Sequence, residues 1–288
     1  MECHHIAIVS EFAGIDCAGL ARVTAAIQKQ VVQDFAPIWG VMATVDSFPR
    51  LEDVPTGYWT IRITAEDLGG ELGLHYDEVG QPHATITYSD SWSVSASHEC
   101  LEMLIDPWGN KLQSGRSLID PNARVQYLVE VCDPCQHANY AYPVNDTLVS
   151  EFYTPAYFDP QPRSGVRYSL TGALKEPLSI LPGGYLSWND PQDGVWWRSD
   201  GGEHPEKLGR LNPADGSMRQ QINAMTSDHL LSTHLSHDEV LERVGKRREL
   251  AKAAAVRRAS TLRDLTKAEM ADRVPSPPIS DQQPKGTE

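Results

Sequence analysis

The sequence lacks any apolar run near the ~20 residues needed to span a bilayer, and its start, Met1-Glu2-Cys3-His4-His5, lacks the basic-then-apolar pattern of a secretory signal. No membrane role is expected, and the cytoplasm is the expected location. Positive charge is scarce as well. With 25 Lys and Arg against 39 Asp and Glu, the formal net charge is −14, which opposes binding to phosphate backbones, because that affinity depends on Lys and Arg displacing counterions. Nucleic acid is therefore not an expected partner. Cysteine is sparse, with five residues in 288. Cys132 and Cys135 form a C-x-x-C, but no second one completes a four-thiolate site, so structural cysteines or one optional disulfide are expected. No G-x-S-x-G elbow, P-loop or G-x-G-x-x-G is present, which leaves serine hydrolase, nucleotide hydrolase and dinucleotide readings without support.

What is present is an ordinary globular composition, 40% hydrophobic and 22% charged, in a chain long enough for one main domain with an appendage. Periodicity predicts strand, helix, strand, strand, strand, helix. His5 to Ser10 is a short apolar run, and Cys3, His4 and His5 lie at what reads as a flexible start. From Leu20 the positions Val23, Ile27, Val31 and Phe35 recur at three or four residues, the buried stripe of a helix that Pro37 should end. Val41 to Val45 is β-branched, and Trp59, Ile61 and Ile63 alternate with Thr60 and Arg62, as do Ala84, Ile86 and Tyr88 with their neighbours. Val125 to Val131 predicts a further strand whose other face carries Gln126, Leu128, Glu130 and Cys132. From about 151 to 213 the chain is rich in Pro, Gly and aromatics, so packed loops and short strands are expected there.

The segment His98-Glu99-Cys100-Leu101-Glu102-Met103-Leu104-Ile105-Asp106-Pro107 carries the chemistry. At about 100° per residue, a helix sets His98, Glu102, Asp106 and Glu99 in one quadrant, with Cys100, Leu101, Leu104 and Ile105 on the reverse face. Residues four apart stand one above the other, so His98 and Glu102 can grip one ion while Glu99 lies beside it, free to act on water. This is an H-E-x-x-H arrangement with Glu102 in the second histidine position. Pro107 disfavours helical geometry at Asp106, where the helix should stop. Asp106 is then a third ligand or an acceptor that fixes the tautomer of His98. A catalytic zinc commonly has three protein ligands. Glu130 and Asp133, in VEVCDPC, are the candidates for the third, with Glu130 favoured.

The segments SHECLEMLIDP and VEVCDPC together resemble the S-H-E-x-x-E-x-x-x-D-P motif and downstream acidic strand end of uncharacterised bacterial zincin-like proteins, from the N-terminus to about residue 210. The motif region alone is similar to plant phosphate-induced EXORDIUM-type proteins. The resemblance implies an α+β fold, with a mixed sheet, a backing helix and an active-site helix; composition adds a loop-rich region after it and a C-terminal helical extension. It also implies a zinc-dependent metallopeptidase in which Glu99 is the general base on a peptide or protein substrate. Tyr153, Tyr157 and His75 are available as oxyanion donors, and Leu72 to Tyr76, if extended beside the cleft, could pair with a peptide as an added strand. A site with one imidazole and two or three carboxylates is hard, so manganese and iron stay open beside zinc. The alternative is a non-catalytic binding or assembly protein with a closed structural metal site.

The expected organisation is 1–215 as the metallohydrolase domain, 216–273 as a basic helical extension and 274–288 as a disordered tail. Residues 243 to 273 hold ten Lys or Arg against four Asp or Glu, a solvated basic helix able to fold back on the acidic body or to pair with a second copy in a homo-oligomer.

Overall fold

The computed structural model describes residues 3–68, 72–78, 80–226, 235–246, 248–249 and 252–253. It is a mixed α+β protein with two five-stranded sheets and a small hairpin. The first sheet is built from β1 (Cys3–Ser10), β2 (Met42–Phe48), β3 (Trp59–Thr64), β4 (Gly73–Glu78) and β5 (Gln81–Thr87), in the order β2-β1-β3-β5-β4. β1 runs parallel to β2 and β3, and β3 parallel to β5, while the edge strand β4 is antiparallel to β5. Ile6, Ala7, Ile8 and Val9 are all buried, as an unbroken apolar run requires of a central parallel strand covered on both faces. The start is not loose: His4 stacks on Trp59 and His5 Nδ1 meets Thr44 Oγ1 at 2.8 Å, so both are strand residues.

Helix α1 (Cys17–Gln30) is capped by Asp16, whose Oδ1 accepts from the Gly19 N–H, and buries Leu20, Val23 and Ile27 against β1 and β2. Pro37 does not end it. The chain continues through a π turn (Val31–Phe35) into α2 (Ala36–Trp39) and stops at Gly40, φ 70°. The Ala36 N–H reaches back five residues to the Val31 carbonyl. That register shift just before the proline accommodates its missing donor.

β4 was not among the strands expected from periodicity, because Gly73-Leu74-His75-Tyr76-Asp77-Glu78 has no clean alternation. Its pairing to β5 makes it a strand. α3 (Trp92–Ile105) packs on β3, β4 and β5 and is buried on every side, its polar quadrant as well as its apolar reverse face. The face opposite His98 and Glu102 is covered by a hairpin of β8 (Tyr142–Val144) and β9 (Thr147–Val149): Ser93 Oγ donates to the Leu148 carbonyl and Ser97 Oγ accepts from the Ser150 N–H.

The second sheet is antiparallel, ordered β12 (Glu206–Gly209), β11 (Val195–Ser199), β10 (Leu186–Asp190), β7 (Arg124–Leu128) and β6 (Leu112–Arg116). Trp188 pairs with Tyr127 in its buried centre. β7 ends at Leu128, four residues short of Cys132, so Glu130 lies past the strand rather than on its face. Cys132 and Cys135 are free thiols.

One compact unit spans Met1–Val244, and Gly245–Glu288 forms a second. The boundary expected at 215/216 thus falls inside the first unit, which includes α4 (Met218–Thr226). Residues 237–246 are helical, and Val240 and Val244 pack with Val94, Ala138 and Leu148. The basic helix beyond residue 253 and the tail 274–288 lie outside the described residues. Among the described residues no helix is long and apolar enough to cross a membrane.

Candidate metal centre

α3 ends at Ile105, and Asp106 leaves helical geometry with φ −130° and ψ 70°, as Pro107 requires. On its last turns the helix presents His98 Nε2 3.1 Å from Glu102 Oε2. The chain after β7 then crosses beneath it. The Cys132 N–H donates to Glu102 Oε1 at 3.1 Å, and Asp133 Oδ1 stands 3.4 Å from His98 Nε2. From the edge strand, His75 Nδ1 meets Glu99 Oε2 at 2.9 Å and lies 3.7 Å from Glu102 Oε2, while its Nε2 lies 3.7 Å from Glu130 Oε2. Gly73 makes this approach possible, since a Cβ there would stand 2.6 Å from Glu99 Oε1.

All of these side chains are buried, with Glu102 fully so, and the cluster has more acid than base. Glu102 Oε2, both oxygens of Glu130, Asp133 Oδ1 and His75 Nε2 are enclosed and have no hydrogen-bond partner. Buried carboxylates without enough compensating positive charge are strongly disfavoured, and the cluster could hold a metal ion. The donor set fits a divalent metal. Two triads bring one ligand atom each within 4.8 Å of the others, His98–Glu102–Cys132 and His75–Glu102–Glu130, and Glu102 is common to both.

Burial, followed by the charges of Glu102, Asp106 and Asp133, pushes the Glu130 carboxyl well above the usual carboxylate range, against the pull of Arg219. For Glu102 burial acts in the same direction, but His98 and then Arg219 hold it below that range. Burial opposes a proton on His98, yet Glu102 and Asp133 raise its pKa well above the ordinary value.

The expected residues are not all brought together. Glu130 stands beside His75 and Glu102, and Asp133 beside His98. Asp106 spends both oxygens on the Asn110 and Lys111 N–H groups, at 3.0 and 2.8 Å, and caps the turn. Tyr157 donates to the Ser179 carbonyl at 2.9 Å. Tyr153, stacked on Tyr157, keeps a buried hydroxyl without a partner, and the charges of Glu130, Glu102 and Asp133 reach it.

Sequence reasoning missed Arg219. It enters from α4, buried, with Nη1 2.6 Å from Asp133 Oδ2 and Nε 3.9 Å from Glu130 Oε1. A narrow cleft beside it is lined by Glu130, Asp133, Tyr185, Ser187 and Arg219. The only signal was an unbalanced charge: four acids around one helix end need a counter-ion, but nothing in the spacing says which arginine. No family model, curated protein or solved structure matches the chain.

Proposed function

We propose that the protein is a zinc-dependent hydrolase of peptide bonds, with His98, Glu102 and an acid of the 130–133 segment holding the ion. The observation that carries this reading is the set of buried donor atoms left without partners around Glu102. The H-E-x-x-E spacing on α3 and a sheet whose antiparallel edge strand borders that helix are in keeping with a zincin-like arrangement. Zinc at this position would supply Lewis-acid polarisation of a peptide carbonyl and a more acidic water. Glu99, adjacent to His98 in sequence, accepts the proton of the attacking water and returns it to the leaving amine. The unpartnered Tyr153 hydroxyl donates to the developing oxyanion. Manganese or iron would suit the carboxylate-rich donor set as well.

A second reading is favoured by the burial of every donor: a closed metal site that stabilises a non-catalytic binding protein. Metal content of untagged protein, measured by mass spectrometry for wild type beside His98→Ala and Glu102→Ala, tests both. The expected result is about one zinc per chain, lost in both variants. No zinc in the wild type, even when it is offered, overturns both. Glu99→Gln then separates them: as a hydrolase the protein loses peptide cleavage with zinc retained at saturation, and as a closed site it changes in neither respect.

A further inference from the structure

His75 lies on β4, outside the helix motif, with its ring fully enclosed. The two ring nitrogens have different surroundings. Nδ1 is hydrogen-bonded to Glu99 Oε2 at 2.9 Å, whereas Nε2 has no partner and faces Glu130 Oε2 at 3.7 Å. That distance is too long for a hydrogen bond. Both oxygens of Glu130 are equally buried and unpartnered, and Glu102 Oε2 faces only His98 Nε2, at 3.1 Å. One ligand atom of each of His75, Glu102 and Glu130 lies within 4.8 Å of the others, and His75 Nε2 and the Glu130 oxygens have no donor between them.

With Nδ1 engaged by Glu99 Oε2, Nε2 is the ring nitrogen left to present a lone pair to the centre. A buried lone pair facing the Glu130 carboxylate is repulsive, and a cation held between them, with Glu102 close by, removes the repulsion. Imidazole ligands are commonly oriented in this way, with one ring nitrogen donating to a carboxylate and the other on the metal.

We infer that His75 is a ligand of the metal centre, supplying through Nε2 the second imidazole that the His98-Glu99-x-x-Glu102 helix lacks, with Glu99 orienting its ring. This rests on the zinc reading above. The motif's missing histidine is thus replaced from a neighbouring strand, and a site with two imidazoles is softer than the helix alone suggests, which favours zinc over manganese. Glu99 holds His75 through Oε2 as well as serving as proton acceptor. Its replacement by Gln then weakens zinc binding by roughly 10- to 100-fold while leaving the site able to fill at excess zinc.

The test is a zinc titration of protein labelled with ¹⁵N in histidine, read by long-range ¹H–¹⁵N spectra that resolve each ring nitrogen. Two imidazoles should change to the metal-bound shift, one disappearing in His75→Gln and the other in His98→Gln. A single shifted imidazole, lost in His98→Gln and untouched in His75→Gln, overturns the role of His75 and leaves the proposed hydrolase standing. No zinc uptake by the wild type overturns both. Should His75→Gln fail to fold, the wild-type spectrum still decides, because the number of shifted rings is one or two.

Discussion

Arg219 Nη1 lies 2.6 Å from Asp133 Oδ2, which ties α4 to the segment that crosses beneath the motif helix. The pair is reinforced along the backbone, where the Arg219 N–H donates to the Gly109 carbonyl and the Met218 N–H to Asn110 Oδ1. Gly109, with φ 60°, allows the approach, since a Cβ there would stand 2.7 Å from Arg219 Cβ. A residue from the expected appendage is therefore part of the candidate metal centre, and its guanidinium is a built-in cation beside Glu130 and Asp133.

Removing that cation should be expensive. Arg219→Met leaves Asp133 and Glu130 buried with less compensating charge, a change that costs roughly 3–5 kcal/mol for buried pairs. A urea titration should show the midpoint falling with little change in slope. Zinc should restore part of the loss, since a ligand at 100 times its Kd contributes about 2.7 kcal/mol to the folded state. An unchanged midpoint would show that the pair contributes nothing to the fold.

How much of this was legible in the sequence follows from which interactions are local. The stripe Leu20, Val23, Ile27, Val31 and Phe35, the alternation in β3 and the stop at Pro107 depend on neighbours within a few residues, and the elements are where the pattern puts them. Pro37 does not stop the helix because a π turn shifts the hydrogen-bond register ahead of it, which composition does not announce. β4 was offered only as a segment that could extend beside the cleft, because its pattern is irregular and its strand identity comes from β5. The pairing of His98 with Glu102 was legible from the helical period. His75 and Arg219 reach the same place across 24 residues from Glu99 and 86 residues from Asp133, and only the tertiary fold brings them there.

Gly73 is held to glycine by contact rather than by its backbone angle. Gly73→Ala would drive a methyl to 2.6 Å from Glu99 Oε1 and 3.0 Å from Ile86 Cδ1. Overpacking of this kind costs roughly 1–3 kcal/mol. The specific consequence is that the Glu99 carboxylate moves off His75, so the Nδ1 proton of His75, sheltered in the wild type, should exchange faster with solvent in the variant. A variant with wild-type stability and the same protected proton would mean that β4 shifts freely and does not fix Glu99.

Glu151 gives a pH dependence away from the metal centre. Burial raises its pKa, and the hydrogen bonds from the Thr171 N–H and hydroxyl offset this only in part. The sign follows from proton counting: the folded state keeps a proton that the unfolded chain has released. The stability this proton contributes is full below the unfolded pKa and is lost as pH rises through the folded one. Stability of Glu151→Gln relative to wild type should therefore increase as pH is raised from about 4 towards 8, since Gln has no proton to lose. Parallel stability curves for the two proteins would show that the carboxyl titrates normally.

The five thiols divide by burial into two groups that chemical labelling can count. Cys3 and Cys17 are exposed, whereas Cys100, Cys132 and Cys135 are buried. Reaction requires both access and the thiolate form. Burial denies the first and opposes the second: it pushes the Cys100 thiol up to about 12 and those of Cys132 and Cys135 well above their ordinary value. Native protein treated with a chromogenic disulfide reagent at pH 8 should therefore show two fast thiols, and the other three only after denaturation. A third fast thiol assigned to Cys132 would mean that the segment beneath His98 opens in the native state, the movement a substrate would need to reach Glu102. Strict protection of Cys132 would instead keep the centre sealed on that side, and access would have to come past the edge strand β4.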